Sequence, residues 1–283
     1  MVLTGVVTLV DVSNLARRLA GADPPTVLDV RWRLGGPPGR AEYVAGHIPS
    51  AAFLDLDADV SGPPGGGGRH PLPDPAALQA VLRRSGVRQD RPTVAYDAGD
   101  GHAAARLWWT LRWAGHRDVS VLDGGFTAWT MAGQPVEAGE AVPPLGDVVV
   151  RPEHVPAADA KGAARLARDG VLLDVRIGPR YRGETEPIDA VSGHIPGAVN
   201  LPAANLSGPD GRLRSPSELR AAFEGAGVRA AAPVGAYCGS GVTAAYAVLA
   251  LTLAGFPAAM LYVGSWSHWI TDALRPIATG GEP

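Results

Sequence analysis

The chain has few of the features that would mark a secreted disulfide protein or a metalloprotein. Its 283 residues include a single cysteine, so no disulfide can form within one chain. This cysteine usage agrees with a reducing compartment such as the cytoplasm. The sequence also lacks the clusters of cysteine and histidine that bind zinc or iron–sulfur centres, and we therefore expect no metal site.

Charge and hydropathy exclude two further classes of partner. The net charge of −3 is small, which predicts neither a nucleic-acid partner nor a membrane-surface partner. Residues 1–12 have no basic residue ahead of their apolar stretch, so they do not read as a secretory signal. The longest apolar run, 242–260, is interrupted by polar, glycine and proline residues, which argues against a membrane span.

What the chain does contain is an internal repeat. Four short segments recur in the same order, with offsets of 145, 147, 141 and 140 residues. The paired segments begin at residues 27 and 172, 46 and 193, 92 and 233, and 123 and 263. Such ordered self-similarity predicts two copies of one domain.

Glycine and proline mark two irregular segments between these signals. Residues 138–147 are rich in both and predict a linker, which gives a first domain at 1–137 and a second at 148–283. The run Pro63–Gly68 predicts an exposed, mobile loop. No Lys-Ser/Thr pair follows it, so it is not a phosphate-binding loop.

Each copy alternates strand and helix patterns. In the first copy, helices are predicted over 12–19, 76–84, 103–114 and 126–131, and strands over 26–30, 93–96 and 119–122. The second copy repeats this order and adds a capping box at Ser215–Glu218. The alternation predicts an α/β fold in which each domain has a mostly parallel sheet with helices on both faces. Ligands of such sheets bind beyond the carboxyl ends of the strands.

The lone cysteine lies at such a position, in the segment Tyr237-Cys-Gly-Ser-Gly-Val-Thr243. A buried strand is predicted just before it, over 233–237, and an apolar helix just after it, over 243–251. Glycines in the loop allow successive N–H groups to point inward as an anion-binding nest, with a helix dipole behind them. Such a position favours the thiolate form of Cys238.

Two other interpretations of Cys238 are open at this point. A single buried cysteine can be an inert, small hydrophobic residue, although that role needs neither flanking glycines nor a helix N-terminus. A cysteine phosphatase uses the same cradle, but it also needs an arginine six residues after the cysteine to bind phosphate oxygens. That position is Ala244 here, which removes the required cation.

The repeat separates shared residues from those found in one copy. His47 and His194 both precede Ile-Pro, and Asp29 and Asp174 both end a predicted strand. Because only one copy has the cysteine, residues present in both are expected to be structural. Asp97 stands where the second copy has its cysteine, and a carboxylate cannot carry a transferable sulfur. The first copy is therefore expected to be a scaffold.

The tandem repeat, both His-Ile-Pro turns and the cysteine loop of the second copy together resemble the two-domain rhodanese-type sulfurtransferases. The resemblance covers nearly the whole chain and implies two tandem rhodanese-like domains. It also implies a two-step reaction in which the cysteine takes a sulfur from a donor as a persulfide and passes it to a nucleophile. The resemblance implies neither a metal nor an organic cofactor.

The loop sequence CGSGVT is similar to that of the members that use 3-mercaptopyruvate. The resemblance implies that the Ser240 hydroxyl serves the reacting sulfur and that Arg180 binds the donor's carboxylate. It further implies that backbone N–H groups hold the sulfur adduct, and these belong to Gly239, Gly241, Val242 and Thr243. A local turn hydrogen bond for Ser240 and a solvated surface position for Arg180 are the structural alternatives.

Two positions bear on how far that similarity extends. Ile188 stands where the family has a second carboxylate-binding arginine, so thiosulfate stays open as the donor. Some members use a histidine of the first copy to relay protons to the loop serine, and His47 matches that histidine.

We therefore predict a cytoplasmic sulfurtransferase that moves a sulfane sulfur from 3-mercaptopyruvate or thiosulfate to cyanide or a thiol through a Cys238 persulfide. Its partners would be a small anionic sulfur donor and a thiophilic acceptor. The alternative is a non-catalytic sulfur carrier or a redox-sensing thiol module. Steady-state kinetics would separate the two, because a carrier would take up sulfur once and release none to cyanide.

Overall fold

The computed structural model of the protein describes residues 8–282, which form two compact units. The first unit comprises residues 8–62, 72–154 and 210–212, and the second comprises 63–71, 155–209 and 213–282. The prediction about a secretory signal at 1–12 falls mostly outside the described residues. No helix within residues 8–282 is both long and apolar enough to span a bilayer.

The first unit is built on a parallel sheet whose strand order is β1-β5-β4-β2-β3. Its described strands are β1 (Leu9–Val10), β2 (Thr26–Asp29), β3 (Ala52–Phe53), β4 (Thr93–Tyr96) and β5 (Val119–Leu122). Its described helices are α1 (Val12–Leu19), α2 (Arg40–Ala45), α3 (Pro75–Arg84), α4 (His102–Trp113) and α5 (Gly125–Met131).

The second unit repeats this plan with the order β6-β10-β9-β7-β8, again with every pair parallel. Its strands are β6 (Ala157–Ala158), β7 (Val171–Asp174), β8 (Val199–Asn200), β9 (Val234–Tyr237) and β10 (Met260–Tyr262). Its helices are α6 (Ala160–Asp169), α7 (Gly178–Tyr181), α8 (Pro216–Gly225), α9 (Val242–Leu253) and α10 (Ser265–Trp269), with a 3-10 helix at Ala203–Leu206.

The predicted fold class is confirmed, and the helix starts follow the predicted signals. Asp74 caps α3 by accepting hydrogen bonds from two backbone N–H groups, with a proline at the first helical position. Ser215 and Glu218 form the predicted capping box at α8. Strands of two residues, such as β3 and β8, were not predicted because they are too short to show a period.

The buried aspartates at the ends of β2 and β7 have the same structural role in both units. Asp174 accepts a hydrogen bond from the backbone N–H of Arg176 at 3.0 Å and from its guanidinium at 2.6 Å. Asp29 holds Arg31 in the same way, at 3.0 Å and 2.7 Å. Since each carboxylate fixes the loop that follows its strand, the expectation that these residues are structural is confirmed.

The two repeated histidines are also structural. The ring of His194 stacks on Tyr181 at 3.7 Å, and its Nδ1 donates to the Tyr181 carbonyl at 2.8 Å. His47 stacks on Tyr43 at 4.2 Å and donates to the Tyr43 carbonyl at 3.0 Å. Both imidazoles are fully buried, so they are packed turn residues as expected.

The glycine-rich segment of the first copy differs from its prediction. Its tip at 63–67 is exposed, as expected, but Gly68 and His70 are buried and the segment belongs to the second unit. Reciprocal backbone hydrogen bonds between Gly65 and Gly68, of 3.0 and 2.9 Å, close the tip into a tight turn. The predicted exposure therefore holds for 63–67, but the assignment of the segment to the first copy is wrong, because composition does not show what the end of the segment packs against.

Candidate functional site

Cys238 lies immediately after β9, in the loop that leads into α9. Its side chain is buried, with 4% of its surface exposed. Gly241 adopts a left-handed conformation (φ 82°) just before α9, a conformation that a residue with a Cβ adopts only at a cost. This turn directs the Gly241 N–H to the Cys238 Sγ at 3.2 Å. The sulfur thus sits at the N-terminus of a twelve-residue helix, where the helix dipole favours negative charge.

Helix α10 fixes the other side of this loop. The Ser265 hydroxyl accepts a hydrogen bond from the Cys238 N–H at 3.1 Å. The N–H groups of Trp266 and Ser267 donate to the carbonyls of Cys238 and Gly239, at 3.0 and 2.9 Å. Because the first two carbonyls of the loop are bonded to α10, the backbone of the loop is restrained on both sides of the sulfur.

Ser240, two residues after the cysteine, faces His70 of the glycine-rich segment. Its Oγ lies 2.7 Å from the His70 Nδ1, and both side chains are buried. The contact is therefore more than a local turn hydrogen bond, which was the structural alternative for Ser240. A buried hydroxyl bonded to an imidazole can pass a proton to or from a group that reacts beside it.

Arg180 reaches the loop from α7, but carboxylates already bind much of its guanidinium. The Glu186 carboxylate accepts hydrogen bonds from the Arg180 Nε and Nη2, at 3.0 and 2.6 Å, in a bidentate pair. Asp189 accepts a further bond from the same Nη2 at 3.1 Å. The residue is mostly buried, with 12% of its side chain exposed, so it is not the solvated surface arginine of the structural alternative.

Arg69 approaches the loop from the glycine-rich segment, next to His70. Its backbone N–H donates to the Ser267 hydroxyl at 3.0 Å, and its Nη1 donates to Asp189 at 2.6 Å. A Cβ built on Gly239 would lie 3.1 Å from the Arg69 Nη2 and 3.7 Å from the Arg180 Nη2. Glycine at 239 therefore lets two guanidinium groups come close to the backbone beside Cys238.

The arginines and carboxylates of this region form one connected ion-pair network. Its links run from Asp189 through Arg180 to Glu186, and from Glu186 through Arg176 to Asp174. Arg69 joins it at Asp189. Three cations face three anions here, so the network has no formal net charge before an anion binds. The positive potential that remains for an anion comes from the N–H dipoles of the loop and from the N-terminus of α9.

The structure brings the predicted site residues together. Cys238, Gly239, Ser240 and Gly241 form one buried loop, and Val242 and Thr243 begin α9 directly behind it. Arg180 lies beside Gly239, as described above. Their functional roles stay predictions, which the geometry supports.

The match of His47 to the relay histidine of the family is wrong, whereas its structural role as a packed turn residue holds. His47 belongs to the first unit, where its ring is bonded to Tyr43, whereas the histidine that meets Ser240 is His70. Sequence reasoning missed both His70 and Arg69. The repeat contained a usable signal, since neither residue lies in a segment shared by the two copies, and unshared residues are the catalytic candidates.

Comparison with known proteins agrees with this geometry. The family described as the rhodanese-like domain matches the chain twice, at residues 11–132 and 159–272. The chain belongs to the two-domain rhodanese-type sulfurtransferases. The two matches account for both copies of the repeat, and the predicted tandem rhodanese fold is thereby confirmed.

Individual members of the rhodanese family are similar over almost the whole chain. A Pseudomonas aeruginosa protein named probable 3-mercaptopyruvate sulfurtransferase is 48% identical over 96% of this chain and 98% of its own length. The thiosulfate sulfurtransferase of Bos taurus is 36% identical, over 87% of this chain and 85% of its own length. The crystal structure of SseA from Escherichia coli, described with the rhodanese fold of 3-mercaptopyruvate sulfotransferases, superposes with a TM-score of 0.81. It covers 92% of this chain and 98% of its own, at 32% identity.

Proposed function

We propose that this sulfurtransferase takes a sulfur atom from 3-mercaptopyruvate, holds it as a persulfide on Cys238 and transfers it to a thiol or to cyanide. The single observation that carries the choice of donor is the buried contact of 2.7 Å between Ser240 and His70. A donor whose leaving group must gain a proton needs such a pair, and 3-mercaptopyruvate is a donor of that kind.

In the first step the Cys238 thiolate attacks the sulfur of the donor. A new S–S bond forms, the donor's C–S bond breaks, and its electron pair passes to the carbon skeleton as the enolate of pyruvate. The donor's thiol proton stays on the persulfide, so the enolate must gain a proton from elsewhere. Ser240 supplies that proton and regains one from His70, which makes the pair a general acid.

The backbone around the cysteine stabilises both the thiolate that begins this step and the persulfide that ends it. The Gly241 N–H already faces the sulfur at 3.2 Å, and the first N–H groups of α9, at Val242 and Thr243, have no intrahelical carbonyl partner. These donors favour the attacking thiolate, and then the persulfide anion that forms when the proton of the outer sulfur passes to the His70 imidazole, in the manner of an oxyanion hole. The amides of Gly239 and Gly241 complete the cradle, and Arg180 orients the donor's anionic end.

In the second step the acceptor attacks the outer sulfur of the persulfide. The S–S bond breaks, its electron pair returns to Cys238, and the thiolate is restored. A thiol acceptor leaves as a persulfide and cyanide leaves as thiocyanate. No oxidant or reductant is needed in either step, because the transferred atom is sulfur at the sulfane level.

Thiosulfate is the second candidate donor. It is supported by the bovine relative, which is named for it. Its leaving group is sulfite, which needs no proton on carbon, so the Ser240–His70 pair would contribute little. A reducing, cytoplasmic location is part of the proposal, because it keeps the lone thiol of Cys238 free between turnovers.

The test compares both donors with the wild-type protein and a Cys238→Ser variant. Incubation with 3-mercaptopyruvate alone should add the mass of one sulfur atom to the wild-type chain and release one equivalent of pyruvate. Addition of cyanide should then remove the sulfur and yield repeated turnovers, which a one-time sulfur carrier would not give. Full turnover by the Ser variant, or a preference for thiosulfate, would contradict the proposal.

A further inference from the structure

Glu186 is a buried carboxylate at the centre of the ion-pair network beside the reactive loop. Its Oε1 accepts hydrogen bonds from the Arg180 Nη2 at 2.6 Å and from the backbone N–H groups of Ile188 and Asp189, each at 3.2 Å. Its Oε2 accepts from the Arg180 Nε at 3.0 Å and from the Arg176 Nη1 at 3.4 Å. Only 4% of the side chain is exposed, so water screens its charge little.

The first copy shows that the shared turn does not need this carboxylate. Arg31 is the counterpart of Arg176, since both follow the aspartate that ends a strand by two residues. Within residues 8–282, the only carboxylate in ion-pair contact with Arg31 is that of Asp29. Arg176 makes the equivalent pair with Asp174 and has Glu186 as a second carboxylate. The copy that contains the nucleophile therefore has an additional buried negative charge.

Asp189 places a second buried carboxylate next to the first. It accepts hydrogen bonds from the Arg180 Nη2 at 3.1 Å and from the Arg69 Nη1 at 2.6 Å, and 4% of its side chain is exposed. The Nη1 and Nη2 of Arg180 lie 3.8 and 3.7 Å from the position that a Cβ of Gly239 would occupy. Glu186 and Asp189 therefore offset positive charge directly beside the residue that follows the nucleophile.

This balance of charge bears on which donors the site can accept. Three arginines and three carboxylates leave the network formally neutral. At neutral pH 3-mercaptopyruvate carries one negative charge, on its carboxylate, whereas thiosulfate carries two. The loop amides and one helix N-terminus can balance a single negative charge better than two. A protein can reject a competing ligand with a group that repels it, and a buried carboxylate repels a dianion more than a monoanion.

We propose that Glu186 and Asp189 are specificity-determining residues, whose buried charges select a donor with one negative charge over a dianion. Both act through Arg180, whose positive charge they offset. The inference rests on the proposed function and deepens it, because it names the groups that disfavour thiosulfate and similar dianionic donors.

The test compares variants that remove charge with variants that keep it. Glu186→Gln and Asp189→Asn each remove one buried negative charge and retain a polar side chain of similar size. Glu186→Asp shortens the side chain but keeps the charge. Glu184→Gln is the matched control, because it removes the same charge from an exposed carboxylate of the same segment, one that is paired with Arg182.

The readout is the donor ratio, which is kcat/KM for thiosulfate divided by kcat/KM for 3-mercaptopyruvate, with cyanide as the acceptor. The donor ratio should rise roughly 10-fold in Glu186→Gln and in Asp189→Asn, because a dianion gains more than a monoanion from each negative charge removed. It should stay within about two-fold of the wild-type value in Glu186→Asp and in Glu184→Gln. Inhibition by sulfate, a dianion without a transferable sulfur, should strengthen only in Glu186→Gln and Asp189→Asn.

A purely structural role for the two carboxylates gives a different pattern. If they only hold Arg180 in place, each variant at 186 or 189 lowers kcat/KM for both donors by the same factor, Glu186→Asp included. An unchanged donor ratio in Glu186→Gln, or in Asp189→Asn should the first variant fail to fold, overturns the inference, as does an equal rise in Glu184→Gln. A wild-type enzyme that prefers thiosulfate would instead overturn the proposed function, and the inference with it.

Discussion

The loop after β4 and the loop after β9 are equivalent elements of the two copies, but their N–H groups have different acceptors. In the first copy, the Asp97 carboxylate accepts hydrogen bonds from the N–H groups of Gly99, Gly101 and Ala104, at 3.0 to 3.1 Å. In the second copy, the corresponding side chain is Cys238, whose Sγ accepts from Gly241 at 3.2 Å. Both loops end in a left-handed glycine before a twelve-residue helix.

The difference shows what the cradle is built to hold. In the first copy a side chain of the protein itself fills the nest of N–H groups, so no site for an external anion is left there. In the second copy the cysteine is uncharged until it ionises or carries sulfur, and the nest can respond to each new negative charge. The segment from Asp97 to Gly101 is one residue longer than the segment from Cys238 to Gly241, and the longer loop accommodates the carboxylate.

The largest effect should come from making the second loop chemically like the first. Cys238→Asp would place a carboxylate in the cradle and remove the sulfur nucleophile, so turnover should fall at least about a thousand-fold. Pyruvate release measures the loss. Asp97→Asn is the control in the first copy and should keep wild-type turnover. A large drop in that control would mean that the first loop takes part in the chemistry.

The next largest effect should come from breaking the contact between His70 and Ser240 of the second loop. His70→Gln and Ser240→Ala should each lower kcat for 3-mercaptopyruvate by on the order of 100-fold, because a positioned proton donor contributes that much. Each should affect thiosulfate turnover far less. Since the two groups act as one relay, the double variant should be little worse than either single one.

His47 provides the matched control for this pair. His47→Gln removes a buried, stacked imidazole from the first unit, so it should lower stability but leave the ratio of the two donors unchanged. The relay is refuted if His70→Gln lowers turnover on both donors equally, or if His47→Gln changes the ratio of the donors.

A smaller effect concerns the buried carboxyl group of Asp97 in the first loop. Burial raises the pKa of Asp97 to about 7, and repulsion by Asp100 adds to the shift. A pKa raised on folding means that the folded chain holds the proton more tightly than the unfolded chain. The stabilisation is therefore complete below the ordinary pKa of 3.8 and is lost as the pH rises through about 7.

Asp97→Asn removes this titration. Comparing the stability of the variant with that of the wild type therefore separates the contribution of Asp97 from that of the histidines. The stability advantage of the wild type over the variant should shrink between pH 4 and about 7 and then level off. Urea unfolding at a series of pH values measures it. A difference that does not change with pH would show that Asp97 stays ionised, held by its three N–H donors.

Much of this comparison could be predicted from the sequence. The repeat aligned Asp97 with Cys238, and the strand and helix patterns placed both at the carboxyl end of a predicted strand. Local patterns were sufficient there, because nest, turn and helix start lie within a few consecutive residues. They also identified His194 and Asp174 as structural, since each has a counterpart in the first copy.

The partners of the second loop could not be predicted in this way. Arg69 and His70 precede the cysteine by more than 160 residues and belong to a glycine-rich segment without any period. Their place depends on tertiary packing against Ser267 and Ser240, which no local pattern records. Likewise the family resemblance implied that Arg180 lies near the site, but not that Glu186 already occupies its fork.

The smallest effect concerns the left-handed glycine that ends each loop, and it distinguishes a contribution to stability from a contribution to catalysis. Gly101→Ala and Gly241→Ala each force a Cβ into the left-handed region, at φ 74° and 82°, which should cost about 1 kcal/mol in either copy. Unfolding experiments should give similar losses. Only Gly241→Ala should also slow the sulfur uptake of Cys238, because relaxation of the strain moves the N–H that faces Sγ. Equal activity of the two variants would show that this N–H stabilises the fold and not the sulfur anion.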